Sequence, residues 1–451
     1  MTKRMMRRPW VILALLGFTI VFAAFVYDAQ RESTAIRLLR QADIPLSVEE
    51  LQAKYSPEPW EQNGARLYLQ AMKKHKAPER SSWEHLVITG DLEHEYGHVF
   101  TGEQRDALRA YVAANAETIA LLLKAQECPF TRLPGSRYDI YGNKTLSRSR
   151  DDLARLVACA ALDAALSGDV ETMGGMIAAG LRLHEIMDEG GMIIDALVAK
   201  SICTIAFDAL EDCLYYARPS SEVVHSWLSI LDTEMYTTLR GLGEIFKNET
   251  TFHYQMYAYE GPYFEWPRRL QWQRTLLKLA LEGTQLRYFV QNGYILGMKS
   301  HITMAGNDSC DFNTPPEDIL LEERWDGNMR NTYYAYGAFL VGRVLTIYAY
   351  NMAHAATVRA ALGSLLYLED QGKIPDTLEV LTPHYLPHPA HDPFTRNELL
   401  RCRVDNGQAV FYSVGSNKKD EGGREAEYNQ SIYDHGDILF RLRIGENKAG
   451  N

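Results

Sequence analysis

Two stretches of this chain carry side chains whose types and spacing could do chemistry. The first is His94-Glu95-Tyr96-Gly97-His98. On a helix, two histidines four residues apart share one face and can hold a zinc ion, and the glutamate beside the first can act as general base on a metal-bound water. Glu117, nineteen residues beyond His98, is the acid placed to serve as third ligand. The second stretch runs from Phe411 to Phe440, where an apolar strand gives way to a long polar segment of glycines and acids before an apolar strand resumes. A segment that long inside a compact domain is either disordered or held by something.

The five-residue motif resembles the signature of zinc metallopeptidases, with Val99 and Phe100 as its apolar flank. That resemblance implies a membrane-tethered peptidase in which His94 and His98 bind zinc and Glu95 is the base. The segment's own physics opposes it. Only a short helix fits between Gly90 and the helix-start signal at Thr101, and Gly97 inside it costs about 1 kcal/mol relative to alanine. Glu117 falls opposite the Leu108, Ile119 and Leu122 stripe, so it should face solvent. No GxSxG, P-loop, dinucleotide fingerprint or nucleophile–base pair occurs elsewhere, and the expectation is a protein that is not an enzyme.

The elements that must position these residues begin with a charged N-terminus. Lys3, Arg4, Arg7 and Arg8 precede an uncharged run, residues 9–27, bounded by Trp10 and Tyr27. At 1.5 Å per residue that run approaches the roughly 30 Å of bilayer hydrocarbon, and the rings suit its two interfaces. Residues 1–28 are therefore expected to be a cytoplasmic stub and transmembrane anchor. The bulk of the chain would then lie outside the cytoplasm: a single-pass protein of the inner membrane facing the periplasm. A cleaved signal peptide is the alternative, but "FVYDAQ" offers no small-x-small cleavage site. With 46% hydrophobic and 23% charged residues the remainder is globular, and its 451 residues suggest more than one domain. A net charge of −11 without a basic tract excludes a general nucleic-acid binder. Cys159, Cys203 and Cys213 sit inside apolar helical patterns, and Cys128, Cys310 and Cys402 are scattered, so buried free thiols are expected for most.

Residues 29–350 read as a helical domain. Thr101 and Gln104 form a capping-box signature ahead of a stripe of Leu108, Tyr111, Val112, Ile119, Leu122 and Leu123. Leu153, Leu156, Val157, Ala160 and Ala164 line a second helix, and Ile177, Leu181 and Ile186 line a third. Gly168 and Asp169 between them suit a helix end and the next N-cap, giving a repeat-like αα-hairpin. Further helices are expected near 189–215, 220–247, 268–300 and 332–370. The aromatic-rich stretch Thr250–Trp272 reads as packing rather than a binding surface.

Residues 351–451 change character. A helix ends at Gly372, and Leu400, Cys402 and Val404 then alternate with arginines. Asp405-Asn406-Gly407 makes a turn, Val410, Tyr412 and Val414 alternate on the return, and Ile438, Phe440, Leu442 and Ile444 form a third strand. The pieces "GKIP", "LPHPAHDPF", "YSVGSNKKDEGG" and "DHGDI" follow in that order. They resemble the soluble head of the major pseudopilin of type II secretion systems, a likeness covering roughly the last hundred residues. It implies an α+β head with a small antiparallel sheet and a calcium ion in its loop. The implied ligands are the Val414 carbonyl, Asn417 and Asp437, with Asp420 and Asp434 as further carboxylates; oxygen ligands from a flexible loop suit calcium. The N-terminus departs from the family, because Phe22 stands where a pseudopilin carries glutamate and more than 300 residues separate anchor from head. The expectation is a membrane-anchored envelope protein of assembly or binding type, with an unidentified protein partner, linked to a secretion or envelope apparatus.

Overall fold

The computed structural model describes residues 59–78, 96–129, 143–184, 193–232, 329–395, 398–424 and 436–445, with isolated positions among 19–50 and at 86 and 245. The anchor run, His94, Glu95, Ile186, the aromatic stretch, the 268–300 helix, Cys310 and Asp434 lie outside the described residues, as does nearly all of residues 1–28. Among those described, no helix is long and apolar enough to cross a membrane.

The chain divides into two compact units. The first comprises Met1–Ser56, Phe246–Met304 and Glu317–Val341. Its described part includes Leu39 and Ile44, both buried, and a forked pair in which Arg40 Nη1 and Nη2 each reach a Glu50 oxygen at 2.8 Å.

The second unit comprises Pro57–Ile245, Ala305–Pro316 and Gly342–Asn451. It is mainly helical, with one small antiparallel sheet at its C-terminal end. Its helices are α1 (Ala65–Lys74), α2 (Gly102–Ala114), α3 (Ala116–Gln126), α4 (Asn143–Ser167), α5 (Val170–Arg182), α6 (Ile193–Tyr216), α7 (Ser221–Leu231) and, from Gly342 onward, α8 (Met329–Gln371). The sheet joins β1 (Arg401–Asp405), β2 (Gln408–Ser413) and β3 (Ile438–Arg443) in the order β1-β2-β3.

Local chemistry explains several boundaries. Thr101 Oγ1 accepts from Gln104 N at 3.2 Å and Gln104 Oε1 accepts from Thr101 N at 2.9 Å, a complete capping box that starts α2. The expected single stripe is cut at Asn115. Its amide donates to Tyr111 O and Lys76 O and accepts from Lys76 N, which ties the α2–α3 junction to the chain after α1. Leu108, Tyr111 and Leu122 remain buried, whereas Leu123 is 36% exposed. The αα-hairpin forms as expected: Gly168 takes φ +75°, and Asp169 caps α5 by accepting from Thr172 N at 3.0 Å.

One core runs through this unit, from Tyr68 and Leu108 past Leu156, Phe207 and Trp227 to Leu362, Phe411 and Phe440. The boundary expected at residue 351 falls inside α8, and side chains before and after it share this core. Trp227 is fully buried, and its indole N–H donates to Gly174 O at 3.1 Å. Cys159, Cys203 and Cys213 are buried thiols outside any disulfide.

In the sheet, Asn406 and Gly407 take φ +48° and +76°, the positive pair that a tight two-residue hairpin needs. The register places Cys402, Phe411 and Phe440 in one row and Val404, Ala409 and Leu442 in the next. On β2 the residues joining the main core are thus Ala409 and Phe411, one step out of phase with the expected Val410 and Tyr412. Those two are buried as well, because the loop after β2 folds over the second face. Gly423 lies so close there that a Cβ would sit 3.1 Å from both Tyr412 and Arg403.

Candidate metal site in the C-terminal loop

The loop leaves β2 at Val414, turns through Gly415–Lys418 and returns to β3 through Asp437. Both ends stand on a small cluster in which Val414 and Ile438 pack with Phe394 and with Ala349 and Ala353 of α8. Asp392 fastens the first end. It is 1% exposed, its Oδ1 accepts from Ser413 Oγ at 2.8 Å and Phe394 N at 2.9 Å, and its Oδ2 accepts from Val414 N at 3.0 Å. The Asp-Pro turn of "HDPF" is the local signal for this residue, although nothing in it announces the partner in β2.

Asp437 fastens the second end and is 5% exposed. Its Oδ2 accepts from Gly423 N at 2.6 Å, while its Oδ1 is buried without a hydrogen-bond partner. Burial pushes the carboxyl above the usual aspartate range; bonds from the backbone at Gly423 and Glu421 pull it back, and the charges of Glu421 and Asp420 push it up again. Glu421 Oε2 is likewise buried without a partner. Glu421 was not among the residues expected from sequence; a carboxylate directly before Gly422-Gly423 was the available signal.

The other expected ligands are placed less freely. Asp420 Oδ1 accepts from Tyr412 Oη at 3.2 Å and Gly422 N at 2.9 Å, and its Oδ2 pairs with Arg401 Nε at 3.1 Å. Asn417 Oδ1 accepts from Lys419 N at 2.9 Å, and its amide N–H donates to Glu421 Oε1 at 2.8 Å. Among the described residues, no group of three or more His, Cys, Asp or Glu side chains is arranged to hold a metal. A cation on Asp437 and Glu421 would therefore draw its remaining oxygens from backbone carbonyls, from Asn417, or from Asp434 outside the described residues. Two orphaned carboxylate oxygens in this loop fit calcium, whose sites mix carboxylates with carbonyls and water.

The peptidase-like motif has a different setting. Tyr96 and Gly97 form a turn, Gly97 has φ +82°, and residues 98–100 have no regular secondary structure, so no helix passes from Tyr96 to His98. The left-handed Gly97 is incompatible with a continuous helix through Tyr96 to His98. His98 Nε2 lies 3.2 Å from Gln104 Oε1, and His98 O accepts from Tyr216 Oη. Tyr96 packs edge-on against Tyr215 with ring centroids 5.2 Å apart. Glu117 is exposed and pairs with Lys74. No family model, no curated protein and no solved structure matches the chain, so the pseudopilin resemblance rests on the order of its motifs.

Proposed function

We propose that this chain is a membrane-anchored extracytoplasmic protein of assembly or binding type, whose pseudopilin-like C-terminal head is stabilised by calcium. The basic N-terminus and the apolar run 9–27 support an uncleaved inner-membrane anchor with the remaining chain in the periplasm. The motif order supports a role beside a secretion or envelope apparatus, with a protein as partner.

The observation that carries the calcium reading is the pair of buried, unpartnered carboxylate oxygens, Asp437 Oδ1 and Glu421 Oε2, in one loop. A buried carboxylate with one oxygen left unpartnered is costly, and a divalent cation supplies charge and coordination together. Binding to the folded state alone stabilises by RT ln(1 + [Ca]/Kd), about 2.7 kcal/mol at a hundredfold excess over Kd.

The test uses the full chain in detergent, melted and proteolysed with calcium, with magnesium and with a chelator. Calcium should raise Tm by several degrees and protect the segment between Lys418 and Tyr428. Magnesium should substitute poorly, since it demands tighter octahedral geometry. Identical melting and cleavage in calcium and chelator would sink the calcium reading. A mature N-terminus near residue 30 would separately sink the anchor.

A further inference from the structure

Lys200 is 3% exposed, on a face of α6 that looks toward α8. Lysine is almost never buried to that degree without a partner for its charge. Its ammonium stands over the Tyr348 ring, 4.5 Å from the centroid, and among the described residues no carboxylate pairs with it. A cation–π contact recovers only part of what burial of an ammonium costs.

The same lysine lines a cleft of about 220 Å3 between the two helices, together with Leu197, Ser201, Thr204, Ile347 and Asn351. Asn351 is 6% exposed, and its amide oxygen has no hydrogen-bond partner. His184 does not neutralise the site. Burial and then the charge of Lys200 hold its imidazole down at about 3, so it is uncharged at neutral pH. The cleft therefore joins a buried cation, an unsatisfied acceptor, several hydroxyl side chains and an aliphatic wall. Pockets for small organic ligands have this composition, a mostly apolar lining with a few convergent polar groups.

We propose that the α6–α8 cleft binds a small organic monocarboxylate bearing one hydrogen-bond donor, with Lys200 pairing the carboxylate and Asn351 accepting from the donor. Size limits the ligand. An apolar protein cavity of roughly 150 Å3 accommodates benzene, so 220 Å3 takes a ring or short branched chain with its carboxylate. The site is independent of the calcium reading.

The probes are the three hydroxybenzoate isomers at millimolar concentration, added to the full chain in detergent in calcium-free buffer. At least one isomer should raise Tm by several degrees. The corresponding hydroxybenzamide, equal in shape but neutral, should not, and benzoate without the hydroxyl should bind several-fold more weakly. Lys200→Met should melt higher than wild type without ligand, because a buried charge is gone, and should lose the hydroxybenzoate shift. Ser201→Trp, placed at an exposed position on the cleft's mouth, should block binding without disturbing the core. A shift shared by the amide, a shift surviving both substitutions, or no shift with any isomer overturns the proposal.

Discussion

Glu211 of α6 and Arg441 of β3, 230 residues apart in the chain, form a forked ion pair on the free edge of the sheet. Glu211 Oε1 accepts from the Arg441 backbone N–H and from its Nε at 3.1 Å, and Oε2 accepts from Nη2 at 2.9 Å. The guanidinium also lies 4.9 Å over the Tyr96 ring, and Arg218 donates to the Arg443 carbonyl two residues on. An exposed strand edge invites pairing with another chain. Here side chains of a helix and its end satisfy the edge instead.

Breaking that pair should therefore cost more than a surface ion pair does. The side chains are 13% and 23% exposed, so Arg441→Met or Glu211→Ala alone should cost about 2–3 kcal/mol, below the full figure for a wholly buried pair. Glu211→Leu with Arg441→Met should recover much of that loss. Burial already holds the Glu211 carboxyl above its usual range, and Arg441 pulls it back. In Arg441→Met the folded state therefore keeps the Glu211 proton longer than the unfolded chain. Stability should fall as pH rises from the ordinary glutamate range. Urea midpoints across that range check both expectations, and additive single costs would refute the coupling.

Asp437 gives the calcium reading a pH signature. Its folded carboxyl is raised, chiefly by burial, so without calcium its contribution to stability is present below the ordinary aspartate range. That contribution is lost as pH rises through the raised value. Calcium needs the ionised form, so its effect should grow over the same window. The gap in Tm between calcium-loaded and calcium-depleted protein should widen from acid to neutral pH. Asp437→Asn should flatten it, and a gap that is constant with pH would argue against Asp437 as a ligand.

What was legible in the sequence is what short-range chemistry encodes. The Thr101–Gln104 box, the Gly168–Asp169 hairpin and the Asn406-Gly407 turn need only neighbours within a few residues, and each formed as read. The break at Asn115 was not legible, because its amide is satisfied by Lys76, 39 residues earlier. The phase of β2 was misread for a related reason: both faces are covered, so alternation no longer marks the core side. Of the candidate site, Asp437 was anticipated at the strand entrance. Glu421 and Asp392 were not, since their importance lies in partners that only the folded loop brings near.

Gly97 offers a direct check on the peptidase-like motif. A Cβ there would lie 2.8 Å from the Tyr215 ring, and φ +82° is strained for alanine. Gly97→Ala should destabilise the protein by about 1–3 kcal/mol in urea unfolding. Were the segment a zinc-binding helix, alanine would instead raise helix propensity and stabilise it by about 1 kcal/mol. The sign of the change separates the two, and Glu95→Gln should leave the metal content of the purified protein unaltered.

Asp392 extends the argument to a residue that binds no proposed ligand. Its two oxygens accept from Phe394 N, Ser413 Oγ and Val414 N, which holds the end of β2 against the "HDPF" turn. Replacing it with asparagine exchanges one oxygen for an N–H that must face a donor. An unsatisfied buried group of that kind costs about 1–3 kcal/mol. Ser413→Ala removes a single neutral hydrogen bond and should cost about 1 kcal/mol. The two variants should also differ in their response to calcium. Val414 begins one arm of the loop, so Asp392→Asn should shrink the calcium-dependent rise in Tm although the proposed carboxylates are intact, whereas Ser413→Ala should leave it nearly unchanged. Thermal melts of both variants with calcium and with chelator check this. If Asp392→Asn lowered stability while keeping the whole calcium effect, the cation would be held by the Glu421–Asp437 side of the loop alone.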